Sequence, residues 1–278
     1  MVDSCNLQPP GIHRILPKIK HKKTMNTYKE LIKEFKSICN KRWIKGVNTF
    51  TNSVGLTFES LINKNADSMY FPDYKGIEIK CTQRFSRYHI TLFSLSFDGP
   101  SLFEMNEILK KYGKNDFFYK DKKQLNVTLN CKNNILVNNK YYFKLEVSDF
   151  EKRIYLLIFD KTNKLIERNS YIEFGTLKKR LELKLSLLAL VFASKKLINN
   201  HPYFRYYKIT IYKLLSFENF IDLIKKNIII ISLVGRVSRS GLEAGRQRNK
   251  NLVFQIDKNN ISKLFKTIET YNNDLNFK

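Results

Sequence analysis

Residues 71–80 read FPDYKGIEIK. Ten residues place Asp73, Glu78 and Lys80 around two isoleucines. A strand that opens near Gly76 alternates its side chains between faces. It sends Ile77 and Ile79 toward a core and turns Glu78 and Lys80 together to the other side. Pro72 holds its predecessor Phe71 extended, and Gly76 permits a sharp entry into the strand. Two carboxylates and one ammonium therefore converge at one strand end.

That set has a chemistry. Paired carboxylates offer hard oxygen ligands to Mg²⁺, which keeps several waters and favours phosphate partners. A bound metal acidifies water and neutralises charge on a phosphoryl oxygen. An adjacent lysine can orient or deprotonate that water and screen developing charge. The logic is that of metal-dependent phosphodiester hydrolysis. The alternative is an exposed ion pair, because acid-x-Lys by itself says little. It recurs at Glu34–Lys36, Asp121–Lys123 and Glu182–Lys184. The copies at 34 and 182 fall in expected helices and read as solvated faces. Only Glu78–Lys80 combines an upstream Pro–Asp step with an apolar strand.

Around this segment the chain is an ordinary globular one. Its 278 residues suffice for one large domain or two lobes, and 43% are hydrophobic. The longest apolar run, IIIISLV at 228–234, suits a buried strand and is too short to span a bilayer. The N-terminus lacks the apolar core of a secretory signal. A soluble cytoplasmic protein without membrane contact is expected. Cys5, Cys39, Cys81 and Cys131 lack CxxC spacing and read as free thiols. The four histidines are dispersed, which leaves no visible zinc cluster.

Fifty Lys+Arg against twenty-five Asp+Glu give a net charge of +25. Such a surface attracts polyanions, with nucleic acid first. Lysine and asparagine are abundant throughout, so arginine is the better witness, because it forks onto phosphate and guanine. Twelve of the fifty are arginine, and Arg236, Arg239, Arg246 and Arg248 share one thirteen-residue window.

Hydrophobic periodicity predicts a mixed α/β chain. Residues 1–25 read as a mobile basic tail. Helices are expected at 27–43, at 56–65 with Thr57 as cap, and at 101–113 closed by Gly113. Strands are expected at 76–82 and 88–95. Residues 123–173 turn to β, with Asn-rich turns. The stretch 176–198 reads as the longest helix, crossing the core. Then follow a strand over 206–214, a helix over FENFIDLIKK, the strands NIIIISLVG and NLVFQI around a basic turn, and a last helix over 261–271.

The flanks of the opening stretch, GLTFESLINKNADSMYFPDYKGIEIKCTQRFSRYHITLFSL at 55–95, resemble the MutH-like branch of the PD-(D/E)XK nucleases. The likeness is to the MvaI and BcnI group of type II restriction endonucleases. Its carriers are Gly55, Thr57 and Glu59, then Pro72 and Asp73, then Gly76, Ile77, Glu78 and Lys80, then Thr91, Leu92 and Phe93. The resemblance is tight over 42–100 and loose over 176–265, and 101–175 has no counterpart in it. It implies a restriction-endonuclease-like core with a second, DNA-recognition lobe: a catalytic lobe at 26–120, with the remaining core elements and the recognition lobe at 121–278. It implies that Asp73 and Glu78 bind Mg²⁺, that Lys80 positions the water, and that Glu59 is a supporting carboxylate behind the strand.

The resemblance also places base reading in a basic hairpin, here GRVSRSGLEAGRQRNKNLVFQI at 235–256. Arg236, Arg239, Arg246 and Arg248 are the candidate readers, and Lys250 a phosphate contact. Arg84 and Arg87 flank the strand and could touch the scissile strand, as could His89. Where the group often has a His-Asp-His-Gly-like run, this chain has Arg248-Asn249-Lys250-Asn251, which implies a different target sequence. The expected protein is a monomeric, Mg²⁺-dependent type II restriction endonuclease acting on double-stranded DNA, with a DNA methyltransferase as genetic partner. The alternatives are a MutH-like mismatch-repair nickase that depends on partner proteins, and a non-catalytic basic DNA-binding protein.

Overall fold

The computed structural model describes residues 21–62, 71–101, 103–239 and 241–273, with backbone only for 21–26. Most of the expected tail, residues 1–20, therefore lies outside the described residues, as do Cys5 and residues 63–65. The chain begins with α1 (His21–Asn40), β1 (Ile44–Lys45), α2 (Ser53–Leu61), β2 (Glu78–Gln83), β3 (Ile90–Leu95) and α3 (Glu104–Tyr112). The middle is β4 (Lys114–Asn115), β5 (Lys123–Leu129), β6 (Ile135–Val137), β7 (Tyr141–Ser148), β8 (Arg153–Phe159) and β9 (Leu165–Glu173). The last part is α4 (Phe174–Leu185), β10 (Leu187–Ile198), β11 (His201–Leu214), α5 (Phe217–Lys225), β12 (Ile229–Val237), β13 (Gln247–Ile256), α6 (Ile261–Leu264) and β14 (Phe265–Asn272). The mixed α/β class is as expected.

Three sheets organise these elements. The first runs β2–β10–β11, with β1 and β14 both on the far edge of β11. Only β2 and β10 pair parallel in it, with Glu78 beside Leu188 and Lys80 beside Leu190. The second runs β3–β13–β12–β5–β4, and the third is the meander β6–β7–β8–β9.

The first sheet separates two cores, and β10 is the wall between them. Its odd positions Leu187, Ala189, Val191 and Ala193 face a core with Leu31, Phe35 and Phe58 of α1 and α2. Its even positions Leu188 and Leu190 face a larger core with Leu177, Leu181 and Leu185 of α4. Burial on both faces yields a continuous apolar run instead of an alternation.

Three expectations need correction here. Residues 176–198 are not one helix. The helix stops at Leu185, and LLALVFASKKLI is strand β10. The missed signal was Asn199-Asn200, both at positive φ (49° and 60°) between paired Ile198 and His201. That is the backbone of a two-residue hairpin. The last expected helix is likewise a single turn, α6, followed by β14 paired with β11. Thr57 is no helix cap. It lies inside α2, buried, and its Oγ1 accepts a hydrogen bond from Val47 N at 3.1 Å, pinning the 46–52 loop. Gly113 does close α3, in an extended conformation. Among the described residues no helix is long and apolar enough to cross a membrane.

Candidate active site and nucleic-acid face

The stretch FPDYKGIEIK folds as the charges require. Lys75 and Gly76 both take positive φ (44° and 91°), and Tyr74 and Ile77 exchange backbone hydrogen bonds of 2.9 and 2.7 Å across them. This tight turn folds Asp73 back onto the strand, where its Oδ2 accepts from Ile79 N at 2.9 Å. Helix α1 braces the turn. Tyr74 donates its hydroxyl to Glu34 at 2.7 Å, and Lys75 pairs with Glu30 at 2.8 Å. The Asp73 carboxylate thus meets the level of β2 at which Glu78 and Lys80 emerge.

Ile77 and Ile79 enter the core with α1 and α2, as expected. The opposite face is covered as well, because α4 lies over it. Glu78 is only 1% exposed, whereas the Lys80 side chain keeps 27% of its surface open. Lys80 Nζ donates to Glu78 Oε1 at 2.5 Å. Lys184 Nζ of α4 sits 2.8 Å from Oε2 and also donates to Phe71 O at 2.8 Å. Oε2 receives this second charge without a well-directed hydrogen bond. Burial raises the Glu78 carboxyl above its ordinary value. Lys80 opposes the rise, Asp73 adds to it, and Lys184 opposes it.

Lys184 is the residue that the sequence concealed. Glu182–Lys184 looks like a solvated helix face, and Glu182 is indeed exposed. Lys184 is buried, one turn beyond Leu181, and reaches across to β2. Its only signal in the sequence was position: an apolar-face site at i+3 from Leu181 and i+7 from Leu177.

Glu59 stands behind the strand. Helix α2 packs on β2 from the other side, and the Glu59 charge acts on Cys81. Burial first, then Glu59, hold the Cys81 thiol well above its usual range, and Asp73 also raises it. The charges that act on Glu78 come instead from Lys80, Asp73 and Lys184. Cys39, Cys81 and Cys131 are free thiols.

Among the described residues no group of three or more His, Cys, Asp or Glu side chains forms a ready-made metal cage. The donor set Asp73 plus Glu78 nonetheless fits a hard divalent cation. Two carboxylates converge, one buried oxygen lacks a directed donor, and each carboxylate raises the cost of charging the other.

The basic candidates fall into two places. Arg84, Arg87 and His89 lie in the loop from β2 to β3. Arg84 stacks near the Phe85 and Tyr207 rings, while Arg87 and His89 are exposed. Lys258 donates to Ser86 O at 2.8 Å and holds this loop. The hairpin β12–β13 projects from the opposite end of the second sheet, since Ile256 pairs with Ile90 and Leu252 with Leu95. Arg236 and Arg248 are direct cross-strand partners, both exposed. Like charges in that position repel. Desolvation, then Arg236 and Arg248, push the Lys250 ammonium below its usual value. Arg246 instead pairs with Glu243 at 2.9 Å. Arg239 directs both guanidinium nitrogens at Asp116, each at 2.5 Å.

Comparison with known proteins agrees with this architecture. The chain is similar to a solved complex of the restriction endonuclease MvaI with its cognate DNA substrate: TM-score 0.81, 23% identity, 86% of this chain and 96% of the other covered. It is also similar to MvaI in the absence of DNA, with TM-score 0.56, 22% identity, and 92% and 100% covered. No curated protein sequence matches it. The family model of the MvaI/BcnI restriction endonucleases matches residues 32–265, a span that includes the carboxylate–lysine strand, α4 and the basic hairpin. The chain belongs to the MvaI/BcnI restriction endonuclease family and is a type II restriction endonuclease, a site-specific deoxyribonuclease.

Proposed function

We propose that this enzyme cuts duplex DNA at the strand end built by Asp73, Glu78 and Lys80, with Mg²⁺ held by the two carboxylates. The observation that carries the reading is the buried Glu78 carboxylate flanked by two lysine ammoniums, with Asp73 folded back beside it. When bound, Mg²⁺ supplies charge neutralisation at the scissile phosphate and a more acidic water. Lys80, partly open to solvent, orients the attacking water and takes up its proton or screens the developing charge. Lys184, closed off from solvent, favours the ionised form of Glu78 and ties it to the chain before Asp73. Glu59 supports the site from behind β2.

Arg236, Arg248 and Lys250 form the DNA-facing side of the hairpin. Their mutual repulsion is relieved when a polyanion lies on them. The forks of Arg236 and Arg248 are suited to guanine edges, and Lys250 to a phosphate. Arg246 joins them by exchanging Glu243 for DNA. Arg84 and Arg87 contact the backbone near the cut. In this reading the first sheet with α1, α2 and α4 is the catalytic lobe and the hairpin belongs to the recognition lobe. The enzyme acts as a cytoplasmic monomer beside a methyltransferase of the same specificity.

The test is incubation of the purified chain with unmethylated plasmid, with Mg²⁺ or EDTA, beside Lys80→Ala. Discrete Mg²⁺-dependent fragments are expected, lost about a hundredfold or more in the variant. Equal fragments from wild type and Lys80→Ala would place the chemistry elsewhere.

A further inference from the structure

Arg239 is unlike its neighbours in the basic hairpin, because its guanidinium, though partly exposed, is forked onto a buried carboxylate. Its partner Asp116 is fully buried and opens the turn between β4 and β5. The same carboxylate accepts from the backbone N of Phe118 and of Tyr119, at 3.0 Å each. Arg239 holds it well below the usual carboxylate range. A second contact joins the two loops. Gly245, at φ 81°, lies so close to Tyr119 that a Cβ there would stand 3.0 Å from the ring. The turn thus meets the hairpin at two points, Asp116 and Tyr119.

What the turn presents is aromatic. Phe117 and Phe118 are 71% and 70% exposed. Their rings meet edge to face at 5.0 Å, Lys120 Nζ lies 4.8 Å from the Phe117 ring centre, and the Arg239 guanidinium lies 5.1 Å from that of Phe118. Two large apolar rings set side by side in water serve no core. They stand at the same sheet end as Arg236, Arg248 and Lys250, since β5 pairs with β12 at Leu125 and Gly235. An apolar surface beside an uncompensated cationic one fits a partner with both flat π-faces and phosphates.

We propose that the 117–120 turn is a second DNA-contacting element, in which Phe117 and Phe118 pack against base or sugar faces of the duplex that the hairpin grips. Arg239 is a positioning residue for that turn and reads no base. The inference rests on the chain being a DNA-cutting enzyme whose hairpin faces DNA. Apolar packing on a base or sugar releases no counterions. It therefore changes affinity at every salt concentration and leaves the salt slope alone.

The experiment measures binding to a mixed-sequence duplex in EDTA across a salt series. It compares wild type, Phe117→Ser/Phe118→Ser, Arg239→Lys, the triple variant, and Phe150→Ser, a still more exposed ring on the β7–β8 turn (97% exposed). The double variant should lose about tenfold or more in affinity with an unchanged slope, and Phe150→Ser should lose nothing. Arg239→Lys, which keeps the charge, should lose affinity in the wild-type background and nothing further in the double variant. Unchanged affinity in the double variant, with a wild-type melting curve, overturns the proposal. So does an additive loss from Arg239→Lys, which would mean that Arg239 touches DNA itself. Plasmid cutting is scored separately. A wild type that does not cut but loses binding in the double variant defeats the active-site reading and leaves this surface standing. A cutting wild type with an indifferent double variant does the reverse.

Discussion

Glu78 sits in a place that disfavours its charge. Burial and the Asp73 carboxylate raise its pKa, and Lys80 and Lys184 bring it part of the way back. A carboxyl with a raised folded-state value gives stability that is present below its unfolded value and lost as pH rises through the folded one. The metal-free enzyme therefore carries a cost near neutral pH that a bound cation relieves. Mg²⁺ should raise the melting temperature near neutral pH, do little at acid pH, and do nothing for Glu78→Gln; scanning calorimetry checks all three. Removing Lys184 removes one of the two charges that favour ionised Glu78. In Lys184→Met the acid limb of the plasmid-cutting profile should move to higher pH, with activity partly recovered in alkaline buffer. A uniform loss at all pH values would mean that Lys184 acts otherwise than through Glu78.

At the scale of elements, β10 decides the fold. Its two faces line the two cores along its length, and it gives β2 its parallel partner. Leu190, fully buried beside Lys80, packs in the larger core. Leu190→Ala should cost about 2–5 kcal/mol in urea unfolding, with little change in denaturant slope. It should also lower cutting, because β10 backs the strand that carries Glu78 and Lys80. Were 187–198 helical, the Asn199-Asn200 hairpin would have no function. In the observed hairpin Asn200→Gly should be neutral, whereas Asn200→Val should destabilise, because a β-branched residue resists the φ of 60° found there.

Over the whole molecule the charge of +25 is not spread into one uniform field. Many lysines and arginines are closed in local pairs, such as Arg168 with Glu146 and Glu151 on the meander, or Lys225 with Asp149. Arg236, Arg248 and Lys250 crowd one another instead. These three should dominate the salt dependence of DNA binding. Each that meets a phosphate contributes about 0.9 to the slope of log K against log salt. Neutralising Lys250 should flatten the slope by roughly that amount without altering the cut pattern, whereas Arg236→Ala or Arg248→Ala should also relax sequence choice. Arg239→Lys should leave the slope unchanged, because its charge is retained.

The sequence by itself determined the local facts. These are the Pro-Asp turn and Gly76 before the strand, the alternation that turns Glu78 and Lys80 one way and Ile77 and Ile79 the other, the run of strands with Asn turns over 123–173, and the clustering of arginines at 236–248. Each depends on neighbours within a few residues, where backbone sterics and side-chain period act directly. Only the tertiary structure decided that α4 ends at Leu185 and β10 begins, that Lys184 reaches Glu78, and that Arg239 pairs with Asp116. A strand buried on both faces loses its alternation, so its apolar run cannot be told from a helix without knowing what covers it. Lys184 lies 106 residues from Glu78, and Arg239 lies 123 from Asp116. At such separations a charge finds its partner through the packing of whole elements, and no local pattern records it.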